Sequence, residues 1–571
     1  MYLPFMDGTL TLEQLFSRHN EHRILVPRFL ALSLLELNGI WNPLLQMIVN
    51  ALLHVLSIVL ILLLMAPILG QRYLLVTLSF STFLFGLPFA WENTLAGFQS
   101  AFYLLIIFSV LALWLLSESD SLSPRWWLGF VSGILAFFSL ASGSLTIATM
   151  VVMALYFYLT GVIRNRRQLV GLFFLTALFL ACALAISETT HNSQLRAQSV
   201  AEFGAALLRF FSWPYPGHAL PALLLLTPIL AFVGMMLWRR PSAGARAWVL
   251  VAFCVWFLGQ GMAISFGRAN EPLGSRYLDL CSFGLLVEFC CLLVVAINCR
   301  QSSAHRWILA LATVWVGATV MGLGLYTAEY LPRQLEAKRS QSAHQEANVR
   351  NYVRTGDFSH LNNKPPLHIP YPDADALRSL LDMATVRAIL PAAIRPPLEL
   401  MEFDSDPSDA FVRSGVYPTT APYQGNTIGS YGAVGNNATG TARMSFRHDN
   451  GTERVKIPVA GYPINGGNRI GMMGADGIEI LRPADNPRES WQFIETELGE
   501  GPLQLVVTDA SDAWWLAVGS PIETGQLDSK VEYVLRNYYM FFILGITIVL
   551  ILMMIYAEPW ISSNKYKAIA S

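Results

Sequence analysis

Apolar residues run in long blocks separated by short polar loops through roughly the first 330 positions, and the pattern changes beyond them. Blocks of about 17–25 apolar residues are long enough to cross a bilayer as helices. They fall near 43–69, 73–91, 99–117, 126–141, 143–161, 169–187, 218–238, 247–266, 278–298 and 307–328, with one more at 537–556. The two blocks that meet at Ala141-Ser142-Gly143-Ser144 are short on both sides. Leu25 to Leu37 is apolar, but it is too short to span and contains Pro27 and Arg28, which suits an interfacial or re-entrant helix. The expected fold is a polytopic α-helical membrane protein with about eleven spans, the last a C-terminal membrane helix.

Lys and Arg in short loops orient such a bundle, because basic loops stay on the cytoplasmic side. One set of loops holds Arg72, Arg125, Arg164, Arg166, Arg167, Arg239, Arg240, Arg246, Arg300 and Arg306, joined after the last helix by Lys565 and Lys567. The other set is longer in total yet holds only Arg18, Arg23, Arg28, Arg196, Arg209, Arg268 and Arg276. The first set is therefore cytoplasmic. Residues 1–40, the loops at 92–98, 188–217 and 267–277, and the whole of 329–536 then lie outside. An outside N-terminus without a signal peptide is uncommon. Since the chain opens abruptly at Met1-Tyr2-Leu3-Pro4, a preceding transmembrane helix is expected to be missing from it.

The polar region divides in two. Residues 329–401 read as a helical linker, rich in Gln, Glu, Ala and Arg over Glu329 to Thr355, with helical spacing of Leu377, Leu380, Leu381, Met383 and Val386. From 402 to 530 short strands recur at close intervals, and Gly, Asn and Pro between them predict a β-sandwich outside the membrane. Asn450-Gly451 is a two-residue hairpin signal that would pair Arg443–His448 with Arg454–Val459. Further strands are expected at Ile478–Leu481, Leu503–Val507 and Trp514–Val518. The organisation is thus 1–40 as first outer loop, 41–328 as bundle, 329–401, 402–530, and 531–571 as the last helix and tail.

Composition fits this reading. Hydrophobic residues make up 54% and charged ones 13%, against about 25% charged in soluble domains. The formal net charge of −1 gives no basic footprint for nucleic acid. Cys182, Cys254, Cys281, Cys290, Cys291 and Cys299 all lie in apolar stretches, so the β-region has no disulfide framework.

Three separated polar motifs land on the outer face under this topology. They are His19-Asn20-Glu21-His22-Arg23; Trp91-Glu92-Asn93 with Gly97-Phe98-Gln99; and Gly267-Arg268 through Glu271 to Ser275-Arg276-Tyr277. Irregular backbone cannot face lipid, so these loops should pack together or line a water-filled cavity. A surface transferase needs a carboxylate to accept a hydroxyl proton and cations to stabilise a departing phosphate. Glu21 and Asp7 are the candidate bases, while Arg23, Arg268, Arg276, His19 and His22 are the candidate phosphate binders. Glu92 and Asn93 suit positioning or helix capping better than chemistry. Glu21 could equally be a structural partner of Arg23 or of a neighbouring His. His19 and His22 could ligate a divalent metal, but no third ligand stands beside them. Asp279 follows Arg276 by three and should pair with it, and His54 reads as a core histidine. In the β-region Trp491, Trp514, Trp515 and Tyr462 could stack on sugar rings; adjacent Trp514 and Trp515 must point to opposite faces of a strand.

Taken together, the three motifs resemble the GT-C superfamily of glycosyltransferases, including bacterial arabinofuranosyltransferases of cell-envelope and pilin glycosylation. The resemblance covers residues 1–330 and, in architecture, the tethered carbohydrate-binding-like domain behind them. It implies a polyprenyl-phosphate-linked sugar donor and a glycan, lipid or protein acceptor, met on the periplasmic side of the bacterial inner membrane. It also implies substrate contacts from His19, Asn20, His22, Arg23, Glu92, Asn93, Gln99, Arg268, Arg276 and Tyr277. Such folds carry an acidic residue in the first outer loop after the first helix. Here only Asp7, Glu13 and Glu21 precede the interfacial segment. Asp373/Asp375 and Asp404/Asp406 form Asp-x-Asp pairs, but in the expected outer region, out of reach of a nucleotide sugar. The rival readings are a flippase of lipid-linked saccharides and a non-catalytic envelope assembly protein with a sugar-binding domain.

Overall fold

The computed structural model describes all residues except 163–164, 187–192, 216, 416, 421–422, 424, 433–434, 449–452, 475–476, 500 and 570–571. Arg164 and the Asn450-Gly451 turn therefore lie outside the described residues, as do the side chains of Lys565 and Lys567. The chain divides into two compact units. A helical unit takes Met1–Leu32, Leu44–Ala337 and Val534–Ser571, and a mixed unit takes Ser33–Pro43 and Lys338–Tyr533.

Among the described residues, 8 helices are long and apolar enough to cross a membrane. They are Pro43–Leu69, Gly97–Glu118, Ala141–Leu159, Arg166–Ala185, Ala219–Arg239, Ala247–Gly267, Ser275–Asn298 and the apolar part of His305–Thr355. The count reaches 9 if Asp528–Arg536 and Tyr538–Leu552 form one span. Two further helices stand where spans were expected, Gln71–Gly86 and Pro124–Ser139, but each has only 16 residues. At 1.5 Å per residue that is about 24 Å, short of a hydrocarbon core of about 30 Å. The apolar block at 73–91 overstates its helix, because the residue before a proline avoids helical backbone. Helix stops at Gly86, and Leu87 is extended ahead of Pro88.

Contacts mark the two ends of the unit. At one end Glu118 meets Arg125 at 3.2 Å and Arg246 at 4.0 Å, and Arg239 donates to Asn298 Oδ1 at 2.6 Å. These are residues of the basic loops or their immediate neighbours. The polar motifs gather at the other end, described below. Between the ends Ser275–Asn298 is the most enclosed helix, and Trp248, Trp256, Trp315, Phe253 and Phe283 are fully buried around it. Gly284 makes room there, since a Cβ would sit 2.1 Å from the Phe257 ring.

In the mixed unit the helices Leu331–Thr355, Ala374–Leu381 and Ala384–Arg387 bury Val349, Tyr352, Val353, Leu361, Leu377 and Leu381 in a core of their own. Eleven strands follow among the described residues: β1 (Leu400–Asp406), β2 (Val412–Arg413), β3 (Thr427–Gly429), β4 (Gly440–Phe446), β5 (Arg454–Gly461), β6 (Arg469–Gly474), β7 (Gly477–Leu481), β8 (Arg488–Glu497), β9 (Leu503–Asp509), β10 (Leu516–Gly519) and β11 (Ile522–Thr524). They form two antiparallel sheets, ordered β1-β4-β9-β6-β7 and β11-β5-β10-β3-β2, with β8 also paired to β5. The expected hairpin is not formed, because β4 and β5 lie in different sheets. Each strand has a fully apolar face, Ala442, Met444 and Phe446 on one and Val455, Ile457 and Val459 on the other. Both faces enter one shared core, which a crossing between sheets achieves.

The Ser33–Pro43 segment is fastened into this unit by Asn38. Its buried amide donates to Ile40 O and Asp528 Oδ1, both at 3.0 Å, and accepts from Leu527 N at 2.8 Å. Asp528 also accepts from Asn42 at 2.6 Å and Thr524 at 3.0 Å, so the buried carboxylate is well satisfied.

Candidate functional site

The site grows from a turn four residues long. His19 and His22 exchange both backbone hydrogen bonds, at 2.8 and 3.0 Å, which places Asn20 and Glu21 at the tip. Asn20 has φ 52°, a left-handed conformation that Asn tolerates better than most residues. Two arginines fix the turn to the short helix before it. Arg23 Nη1 donates to Phe16 O at 2.8 Å, while Arg28 Nη1 donates to Leu15 O at 2.8 Å and to Ser17 O at 2.5 Å. Arg23 thus helps to hold the loop in shape.

Glu21 Oε1 accepts from Arg268 Nη2 at 2.9 Å and lies 3.6 Å from His22 Nε2. Residues separated by 247 positions therefore meet as expected. Arg268 closes the Ala247–Gly267 helix. The loop after it is held by Ser193–Ala197, with Ala197 N donating to Phe266 O at 2.9 Å and Asn270 N to Leu195 O at 3.2 Å. Burial lowers the pKa of His22, with Arg268, His19 and Arg276 pushing the same way and only Glu21 opposing. His19 is lowered too, by burial and then by Arg28, against Glu21. Both imidazoles are thus biased toward the neutral form, which leaves the fixed positive charge to Arg268 and Arg276.

The second and third motifs interlock. Glu92 Oε2 accepts from Ser275 Oγ at 2.6 Å and Arg276 N at 3.0 Å, and so holds the 3-10 turn Ser275–Tyr277 that leads into the Leu278–Asn298 helix. Asn93 Nδ2 donates to Arg276 O and Asp279 Oδ2, both at 2.8 Å. Both side chains are engaged with the backbone and side chains around Arg276. Arg276 is 3.8 Å from Glu271 and lies over the Tyr277 ring at 5.2 Å. Its expected pairing with Asp279 is not made. Arg276 belongs to a 3-10 turn (Ser275–Tyr277) ahead of the helix, and Asp279 turns into the bundle, 3.6 Å from His54. Tyr277 packs edge-on against Phe102, and Gln99 ends the Gly97–Gln99 turn, beside Phe98, which contacts the His19 ring at 5.1 Å. Asp7 ends the Tyr2–Met6 helix, where its amide donates to Leu3 O at 3.0 Å.

A fourth element reaches the site without a polar signature in the sequence. The turn Ala141–Gly143 separates two helices, and Ala141 N donates to His22 Nδ1 at 3.4 Å. Gln260 Nε2 donates to Ser142 O at 3.0 Å. Gly143 is required here, since a Cβ would lie 2.2 Å from the Ala136 carbonyl carbon. Beside it runs an apolar groove of about 380 Å³, lined by Leu145, Phe203, Gly259, Met262, Ala263 and Phe266. The last four lie on one helical face that ends two residues before Arg268.

No group of three or more His, Cys, Asp or Glu among the described residues is arranged to hold a metal. In the mixed unit Trp514 and Trp515 lie just before β10, which starts at Leu516 and not at Trp514 as expected; Trp515 is 4% exposed and Trp514 37%, and Trp514 contacts Tyr462 at 4.5 Å. Trp491 packs against Tyr423 at 5.3 Å.

No protein-family model matches the chain, and no curated protein sequence matches it. Its function must be argued from these residues.

Proposed function

We propose that this protein is a GT-C-like membrane glycosyltransferase that moves a sugar from a polyprenyl-phosphate donor to an envelope glycan, lipid or protein. The observation that carries the reading is the 2.9 Å contact between Glu21 and Arg268 within a cluster that also includes His22 and Arg276. A carboxylate facing guanidinium groups across a half-buried cleft matches what inverting transfer needs. The acceptor hydroxyl forms a bond to the anomeric carbon as the bond from that carbon to the carrier phosphate breaks. Glu21 takes the hydroxyl proton, and the polyprenyl phosphate leaves as an anion stabilised by Arg268 and Arg276. In the resting state Glu21 occupies Arg268, so the arriving phosphate displaces it and frees the base.

The adjacent apolar groove, ending next to Arg268, would suit the isoprenoid tail. The reading takes the site, and residues 329–536, to face the periplasm across the inner membrane, a topology that the loop charges support. Trp514 and Tyr462 would give the β-region, in the proposal a carbohydrate-binding sandwich, a platform for glycan. The test is transfer from a panel of polyprenyl-phosphate sugars by the wild-type chain, Glu21→Gln and Asp7→Asn. The reading expects loss in Glu21→Gln. Undiminished transfer in both variants removes the base assignment, and no transfer from any donor by the wild type removes the function.

A further inference from the structure

Beneath the cleft lies a half-enclosed cavity of about 130 Å³, whose polar lining includes His54, Thr94, Tyr103, Asp279 and Ser282. Its apolar wall comes from the segment Leu84–Ala90, where the Gln71–Gly86 helix ends and the chain turns back. Asp279 stands one helical turn below Arg276, and Asn93 bridges the two levels through Arg276 O and Asp279 Oδ2. Within the cavity Asp279 Oδ1 is 3.6 Å from His54 Nε2, too long for a hydrogen bond. The His54 ring stacks on Tyr103 at 5.1 Å and meets Phe85 at 5.6 Å. His54 Nε2, buried in this lining, has no hydrogen-bond partner among the described residues, and the Tyr103 hydroxyl lies against the Asp279 carboxyl. Tyr103 is completely buried.

An unpartnered buried donor or acceptor costs about 1–3 kcal/mol. One water needs only about 15 Å³ of such space and two to four polar partners, and the cavity offers both. Ionisable residues inside a bundle are functional by default, and here a carboxyl and an imidazole face one another across a gap that a proton can cross through water. We propose that the His54–Asp279 cavity is a hydrated acid–base site that takes up and releases a proton, with water as its other ligand. This holds whether or not the cleft above transfers sugar. The groups that face Asp279 are His54 from the Pro43–Leu69 helix, Tyr103 from the Ser100–Glu118 helix, the Asn93 amide from the Trp91–Leu95 helix, and Cys281 on its own helix. Two ionisable groups this close exchange protons as a pair and not independently.

The test uses a hydrophobic carbodiimide on the full chain in lipid nanodiscs. A protonated carboxyl adds across the carbodiimide, and the adduct rearranges to a stable acylurea that peptide mass spectrometry locates. Asp279 should be labelled, and the extent should fall as pH rises. In His54→Gln the pH of half-labelling should move by about one unit or more, because an opposite charge at this distance shifts a carboxyl by about 1–3 units. If His54→Gln does not fold, as judged by gel filtration, His54→Asn replaces it. A pH of half-labelling unchanged in the variant, or Asp279 unlabelled at every pH while exposed carboxylates react, overturns the proposal.

Discussion

Glu21→Gln should slow transfer and at the same time tighten donor binding, a combination that a merely structural role would not produce. Glu21 and Arg268 are 2.9 Å apart and their side chains are each only 20% exposed. A hydrogen bond between charged partners contributes about 1.5–3 kcal/mol. Water at the cleft rim brings this one toward the lower end of that range. The donor phosphate must break it to reach Arg268. Removing the competing carboxylate therefore returns about 1.5 kcal/mol to donor binding, roughly a tenfold lower Kd. Losing a positioned base costs about 10²–10⁴ in rate. Both kcat and KM should thus fall, which is the mark of a removed ground-state interaction combined with a lost catalytic group. Polyprenyl-phosphate binding to the protein in nanodiscs can be followed by calorimetry, and transfer by initial rates with a labelled sugar. Donor affinity unchanged or weakened in Glu21→Gln would mean that phosphate does not compete for Arg268. A wild-type rate would mean that Glu21 is not the base.

Three further outcomes follow from the geometry. His22 has a folded pKa below the ordinary imidazole value of about 6.5, so the unfolded chain takes up the proton first as pH falls. Stability should be full above that value and decline through it toward the lower folded value; His22→Gln should flatten the decline in melting temperature measured against pH. Asn38→Ala strands Leu527 N and one contact of Asp528 in a buried setting, and should cost about 2–4 kcal/mol, read as a lower melting temperature and faster proteolysis of the mixed unit. Gly143→Ala must push apart backbone only 2.2 Å from the new Cβ, costing about 1–3 kcal/mol and moving Ala141 off His22; normal stability and activity in that variant would show the turn to be unimportant.

Much of this was legible in the sequence because it depends on polar residues standing out against an apolar chain. The motifs around Glu21, Glu92 and Arg268 announce themselves that way, and loop charge put them at one end. What escaped notice was built from residues with no contrast. Ala141-Ser142-Gly143 is small and nearly neutral, so its turn into the site is set by the close approach at Gly143. Helix length was overread where Leu87 and Pro88 continue an apolar run without continuing the helix. In the β-region β1 and β8 are charged strands, and their pairing with β4 and β5 follows from neighbours and not from their own alternation. The Asn450-Gly451 signal spoke only of local geometry, whereas the shared core decided which sheet each strand joined.

The short helix Trp91–Leu95 explains why a chain this apolar carries breaks where it does. An uninterrupted span satisfies its own backbone and offers nothing to a substrate, whereas a broken one leaves amides and carbonyls that need partners. Here the break between Gly86 and Ser100 is answered from three directions. Asn50 donates to Asn93 O at 2.9 Å and to Ala96 O at 3.0 Å, Glu92 takes the Arg276 amide, and Trp91 Nε1 donates to Gln334 at 2.9 Å. Two consecutive side chains then look to different levels, Glu92 to the Ser275–Arg276 backbone of the cleft and Asn93 also down to the His54–Asp279 cavity. The arrangement makes Asn93 the residue whose loss would disturb both sites together, and Asn50 the one that holds it in place.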